Sequence, residues 1–310
     1  MSARHLKIIA LGFTGLLLLW GASELLSRGS QAVADTLTLP ALAQGDVDTI
    51  TVTTGTDSIV LAKQASLAWA VNGHRAGLDA VNELVQALKD TVRPELVAQD
   101  SSSFRRLEVD SATGRWLRIR GGGRPLLDLI VGGRGSEHAS AYVRRPGDSR
   151  VYLWRGQLAQ LVDRTPDEWR DKRIAAVEPD SIAGVTVERG QDHYTLKRAG
   201  QTWTLNGAAT DSGAVVRALD KYRTIVSAGF ATRAQADSVR GRRPTRRLTV
   251  RSAHGGTLLA LVFDSIAGGF WVRRTGGSAA GGDPGTVYRM NSWDVDGLTP
   301  ASRALVPAAP

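Results

Sequence analysis

Apolar and polar residues alternate in two distant stretches, "TITVTT" at Thr49–Thr54 and "GVTVER" at Gly184–Arg189, with the period of half-buried strands. The agreement runs on. "DTITVTTGTDSIVLAKQASLAWAVNG" from Asp48 lies over "AGVTVERGQDHYTLKRAGQTWTLNG" from Ala183, so that Ile50 meets Val185, Val52 meets Val187, Leu61 meets Leu196 and Trp69 meets Trp203. Asn72-Gly73 meets Asn206-Gly207, and the spacing is 135 residues at first and 134 after a one-residue gap. A tandem duplication is expected from such agreement. The breaks "TGTD" and "RGQD" read as hairpin turns, and Trp69 and Trp203 as core rings on a third strand beneath a helix.

The pattern then changes period. Val81, Leu84, Val85 and Leu88 recur at i, i+3, i+4 and i+7, and Val215, Ala218, Leu219 and Tyr222 repeat that stripe, which predicts one amphipathic helix per unit. Asp79, and Asp211 or Ser212, are the expected N-caps. Strand alternation returns in "RWLRIRGGGRPLLDLIVG" and its counterpart "RRLTVRSAHGGTLLALVF". Each unit should close with a hairpin, "AYVRRPGDSRVYLW" and "FWVRRTGGSAAGGDPGTVYRM". There Tyr142 and Arg144 face one side and Val143 and Arg145 the other, with the arginine doublets covering aromatic rings or deterring edge pairing. Between the copies, Thr165 and Pro166 open a short helix whose acidic start and basic end suit the helix dipole, and Trp169 and Ile174 are expected to wedge between the units.

The expected architecture is therefore α+β: two tandem repeats, each a mainly antiparallel sheet with a packed amphipathic helix, after one N-terminal transmembrane helix. Residues 1–30 form an anchor or signal sequence, 31–46 a linker, 47–155 the first repeat, 156–179 a helical connector, 180–299 the second repeat and 300–310 a frayed tail. The anchor reading rests on a nearly uncharged run from Ile8 to Ser23. Glu24, Leu25, Leu26 and Arg28 follow it, where a cleaved signal needs small residues. Arg4 and Lys7 precede the run, so the positive-inside rule predicts a single-pass inner-membrane protein with a periplasmic body.

Composition narrows the chemistry. There is no cysteine among the 310 residues, so disulfides, thiol nucleophiles and cysteine-bound zinc are excluded. The net charge of +9 is spread as arginine pairs through strands and turns, without a basic recognition helix, so nucleic acid is not an expected partner. No metalloprotease, nucleophile-elbow or phosphate-loop motif is present, and "IVGGRGSEHAS" lacks the lysine and the following helix that a phosphate loop needs. Glu137 beside His138, and Asp192 beside His193, point to opposite faces if extended. His74 and His254 fall at turns, and Asp167, Glu168 and Asp171 read as capping and surface pairing around Arg170. No enzyme activity, cofactor or metal is expected.

The hairpin "AYVRRPGDSRVYLW", the connector "TPDEWRDKRIAAVEPDSIAGVTVERG" and "YTLKRAGQTWTLNG" with its helix resemble the bacterial DUF4340 family, a family of unknown function. The resemblance extends from about Val47 to Leu298 and is most specific over Tyr142 to Gly207. It implies a membrane-anchored envelope protein, and some members are encoded beside ABC transporters similar to those linked to gliding motility. It supplies no catalytic residues, and the insertion "GGSAAGGDPG" departs from it in the second hairpin. The expected function is a non-catalytic accessory protein of an ABC transporter or allied envelope complex, with the cleft between the two copies as a docking place. The alternatives are a module binding anionic envelope polymer or lipid headgroups and, more remotely, an enzyme. The candidate contacts are Trp169, Arg170 and Arg173 in the connector and the doublets Arg144-Arg145 and Arg273-Arg274.

Overall fold

A computed structural model describes residues 20–23, 37, 39–40, 42–43, 45–64, 68–89, 94–137 and 139–307. The expected anchor lies outside these except for a helical stretch at 20–23, and among the described residues no helix is long and apolar enough to cross a membrane. The chain divides into two compact units. The first takes the described residues up to Asn72 and Leu78–Pro166, and the second takes Gly73–Gly77 and everything from Asp167. The expected connector, 156–179, is thus not a separate body: its halves fold with different units.

In the first unit the strands are β1 (Thr49–Thr54), β2 (Asp57–Lys63), β3 (Trp69–Val71), β5 (Glu95–Ala98), β6 (Arg115–Gly121), β7 (Arg124–Arg134), β8 (Ser140–Arg144) and β9 (Val151–Arg155); the two-residue β4 (His74–Arg75) lies in the segment grouped with the second unit. Their order is β3-β2-β1-β6-β7-β8-β9-β5, with antiparallel neighbours. Register follows the apolar pattern: Ile50 faces Leu61 and Ile119, while Leu117 lies between Val52 and Leu129. Helix α1 (Leu78–Lys89) buries the predicted stripe Val81, Leu84, Val85 and Leu88. Asp79 sits inside its first turn and is not the residue before it. Helix α2 (Leu158–Val162) packs against α1, β7 and β8.

This sheet is covered on both faces. Leu107 and Val109, from the segment between β5 and β6, pack with Ile130 and Val151, and Phe104, Trp116 and Tyr142 surround them. Double cover explains why Leu129, Ile130 and Val131, and all of Val151–Trp154, are buried where alternation would leave every second residue in water.

The second unit contains β10 (Arg173–Ala175), β11 (Ile182–Arg189), β12 (Asp192–Ala199), β13 (Thr202–Leu205), β14 (Ala208–Ala209), β15 (Ile225–Val226), β16 (Gly229–Phe230), β17 (Arg246–Ser252), β18 (Thr257–Ile266), β19 (Gly269–Gly276) and β20 (Val287–Asn291). Its large sheet runs β14-β13-β12-β11-β17-β18-β19-β20-β16, and from β13 to β16 it repeats the strand order of the first unit. Val185 faces Leu196 and Val250 as Ile50 faces Leu61 and Ile119. The helices are α3 (Pro166–Trp169), α4 (Ser212–Asp220), α5 (Arg233–Val239) and α6 (Ser292–Leu298). Asp211 caps α4 by accepting the Ala214 N–H at 2.9 Å. Helix α5 opens with a reciprocal capping box between Thr232 and Gln235, and its Val239 packs with Trp271 and Val287. Taken together, the fold is mainly antiparallel β-sheet with packed helices, an α+β architecture.

Three expectations change. The closing hairpins do not end the sheets, because β5 and β16, contributed by the segments after each helix, lie outside β9 and β20. The arginine doublets therefore sit on interior strands, β8 and β19, or just past β8, and have no edge to protect. The tail is not frayed over 300–307: Leu305 is buried, the Tyr194 hydroxyl donates to the Pro300 carbonyl at 2.7 Å, and the Ser302 N–H donates to Asp192 at 2.8 Å.

Candidate functional site

The seven candidate contacts are divided between the two units. In the first unit Arg144 is buried. Its Nε donates to the Val109 carbonyl at 2.6 Å and its guanidinium lies 4.1 Å from the Phe104 ring centroid, so it ties β8 to the covering segment. Burial pulls its pKa below the usual arginine value. Arg145 points the other way and is exposed, beside a cavity of about 470 Å³ that Asp128 also lines.

In the second unit Arg273 reaches the buried carboxylate of Asp264 at 2.9 Å, and Arg274 donates to the carbonyls of Gly277, Ala279 and Gly281 at 2.6–2.7 Å. Arg274 thereby folds the glycine-rich insertion back on its own strand. The insertion is itself structural, since Ala176 donates to the Ala280 carbonyl at 2.9 Å and Gly282 to the Arg173 carbonyl at 3.0 Å. Trp169 is buried. Arg170 stacks 3.6 Å from the Phe230 centroid and donates to Thr286, and burial lowers its pKa. Of the seven, Arg145 and Arg173 are exposed, Arg170, Arg273 and Arg274 are half-buried, and Arg144 and Trp169 are buried.

The imagined acid/base pairs are otherwise engaged. Glu137 accepts from Arg155 at 2.7 Å, and that bond holds its carboxyl below the ordinary range; His138 lies outside the described residues. Asp192 holds the Ser302 N–H, which depresses its pKa, while His193 is exposed on the opposite face. His74 lies 3.2 Å from Asp283, and Asp171 lies 3.4 Å from Arg75, so the carboxylates near Arg170 are dispersed among different partners. His254 is exposed at a turn. Among the described residues no group of three His, Asp or Glu side chains is placed to hold a metal ion.

The largest cavity described is a groove of about 880 Å³ on the second unit, between the β12–β13 turn and α4. Trp203 on β13 forms its floor. This ring packs against the core and is only partly buried, whereas its counterpart Trp69 is 4% exposed. Val216, 62% exposed on α4, and Leu219 flank it. At the rim Arg223 pairs with Glu178 at 2.8 Å and Asp220 at 3.2 Å, and the Asp220 bond, then Glu178, raises its pKa. Arg198 donates to the Asp180 carbonyl at 3.3 Å. Trp203 thus packs against the core, as expected, and also lines the groove. The signal that marks the groove is Val216 itself, an apolar residue off the buried stripe where the first helix has Asn82.

No curated protein and no solved structure matches the chain. The family model of DUF4340, a domain of unknown function, matches residues 69–243, a narrower span than Val47 to Leu298 but more than half of the 310 residues, and the chain belongs to that family.

Proposed function

We propose that the chain is a non-catalytic accessory protein built by duplication of one α+β unit. An N-terminal helix tethers it to the inner membrane with the body on the periplasmic side, and it serves an ABC transporter or an allied envelope complex. The repeat reading draws support from the common strand order and from the matched registers at Ile50 and Val185. The tether reading draws on the apolar run from Ile8 to Ser23 with Arg4 and Lys7 before it.

The observation that carries the accessory reading is the groove beside Trp203: an open, partly apolar recess at whose rim Arg223 is paired with Glu178 and Asp220, a surface suited to holding a ligand. The rival reading, a binder of anionic polymer or lipid headgroups, loses most of its contacts, because Arg144, Arg170, Arg273 and Arg274 are spent on internal bonds.

The test is to isolate the full-length protein in mild detergent, wash it at low and then moderate salt, and identify what remains bound. Transporter subunits recovered in fixed ratio at both salts are the expected result. Recovery of no protein, or only of material that salt removes, overturns the accessory role.

A further inference from the structure

The groove's polar groups fall into two sets. One is already committed: Arg223 to Glu178 and Asp220, Arg198 to the Asp180 carbonyl, and the Thr202, Thr204 and Thr210 hydroxyls to backbone carbonyls. The other set, the Gln201 amide, the Ser212 hydroxyl and the Asp180 carboxylate, carries no hydrogen bond among the described residues and lines the same groove as Trp203. We propose that this groove binds a segment of an uncharged polysaccharide, one sugar ring lying flat on Trp203 with its hydroxyls on Gln201, Ser212 and Asp180. This deepens the accessory reading by naming the ligand class of its groove.

Three features select that chemistry. A pyranose presents a C–H face that suits a flat apolar ring, and an edge of hydroxyls that both donate and accept. Gln201 and Ser212 offer donors and acceptors, and Asp180 an acceptor. Charge disfavours a polyanion, since Arg198 and Arg223 in the lining are matched by Asp180 and Asp220, and Arg223 is shared between the carboxylates of Asp220 and Glu178. Backbone geometry disfavours a peptide. Beyond β13 the sheet ends in the two-residue β14, too short to template an added strand, and the apolar floor of Trp203, Val216 and Leu219 is shorter than the track a docked helix needs.

The test uses the full-length protein in lipid nanodiscs and isothermal titration with a neutral N-acetylglucosamine tetramer and a neutral glucose hexamer. A uronic-acid oligomer of similar length and an apolar ten-residue peptide are titrated alongside, each at low and moderate salt. Binding of a neutral oligomer, equal at both salts, is expected. Trp203→Ala should weaken it by about tenfold or more, the scale of a lost aromatic contact, and Gln201→Ala should weaken it severalfold, while Trp203→Tyr retains binding. Thermal unfolding of each variant separates lost binding from lost fold. The inference is overturned if neither neutral oligomer binds, if binding ignores Trp203, or if the uronic-acid oligomer or the peptide binds more tightly. Recovery of the transporter complex without any oligosaccharide binding sinks this inference alone; oligosaccharide binding without the complex sinks the accessory role alone.

Discussion

Trp69 and Trp203 hold the same place in the two units, on the third strand beside an amphipathic helix, and only one of them is sealed. The adjoining helices differ where it counts: Leu84 and Asn82 in the first are matched by Ala218 and Val216 in the second. A smaller core residue and an exposed valine accompany the open ring, so one unit presents a groove where the other presents a closed core. Buried apolar patterning is common to both, and the departures from it accompany the groove.

A second pair teaches the same lesson on the opposite face. Arg144 and Arg273 hold matching strand positions, the first buried and the second half-buried, and both are bonded internally. In the first unit the covering segment crosses so close that a Cβ at Gly132 would lie 2.3 Å from the Leu107 carbonyl oxygen, and Arg144 bonds that segment's backbone. In the second the matching position is Asp264, which pairs with Arg273, and α5 covers the face. One guanidinium is satisfied by backbone, the other by a carboxylate, and each solution needs its own cover.

Substitutions can break these comparisons. Trp69→Ala should cost about 3–5 kcal/mol in denaturant unfolding of the full chain, because a sealed ring leaves a cavity. Trp203→Ala should cost about 1–2 kcal/mol, since less apolar area is lost from cover. Equal costs would show that both rings are core. Asp264→Ala should cost about 2–3 kcal/mol by stranding Arg273, reduced from the fully buried case because the guanidinium keeps partial solvent access. Gly132→Ala should cost about 1–3 kcal/mol through the clash with Leu107; a neutral result would mean that the cover lifts freely.

The smallest effect concerns pH. Asp192 has a folded pKa below its ordinary 3.8, so its hold on Ser302 is fully present above that value and fades as pH falls through the lower, folded one. Hydrogen exchange at the Ser302 amide, corrected for its intrinsic rate, should rise in that acid window, and Asp192→Asn should remove the pH dependence.

Much of the scaffold was legible because periodicity reports burial. Two alternating runs gave β1 and β11 with their partners, and the stripes from Val81 and Val215 gave the two main helices. The outer strands β5 and β16 were not legible: four and two residues are too few to show a period. The covering cluster around Leu107 and Val109 escaped as well, since its partners Ile130 and Val151 lie on strands far along the chain. Arginine in sequence reads as surface, so the burial of Arg144 and the internal pairing of Arg273 had no local sign. The candidate site fared worst, because exposure of Trp203 depends on the size of neighbours across a helix.

The clasp on Leu305 sets a timetable. A chain made from its N-terminus can pair every strand of the first sheet once Arg155 has emerged. The second core stays unfinished until residues near 305 arrive, since Tyr194 and Tyr222 need the Pro300 and Leu298 carbonyls and Leu305 closes over the buried cluster. Gly73–Gly77, made early but held in the second unit, must wait for Trp169, Arg170 and Asp171 and, at His74 and Arg75, for Asp283. Nascent chains stopped short of residue 298 should therefore carry a protease-resistant first sheet and a second one still open to cleavage.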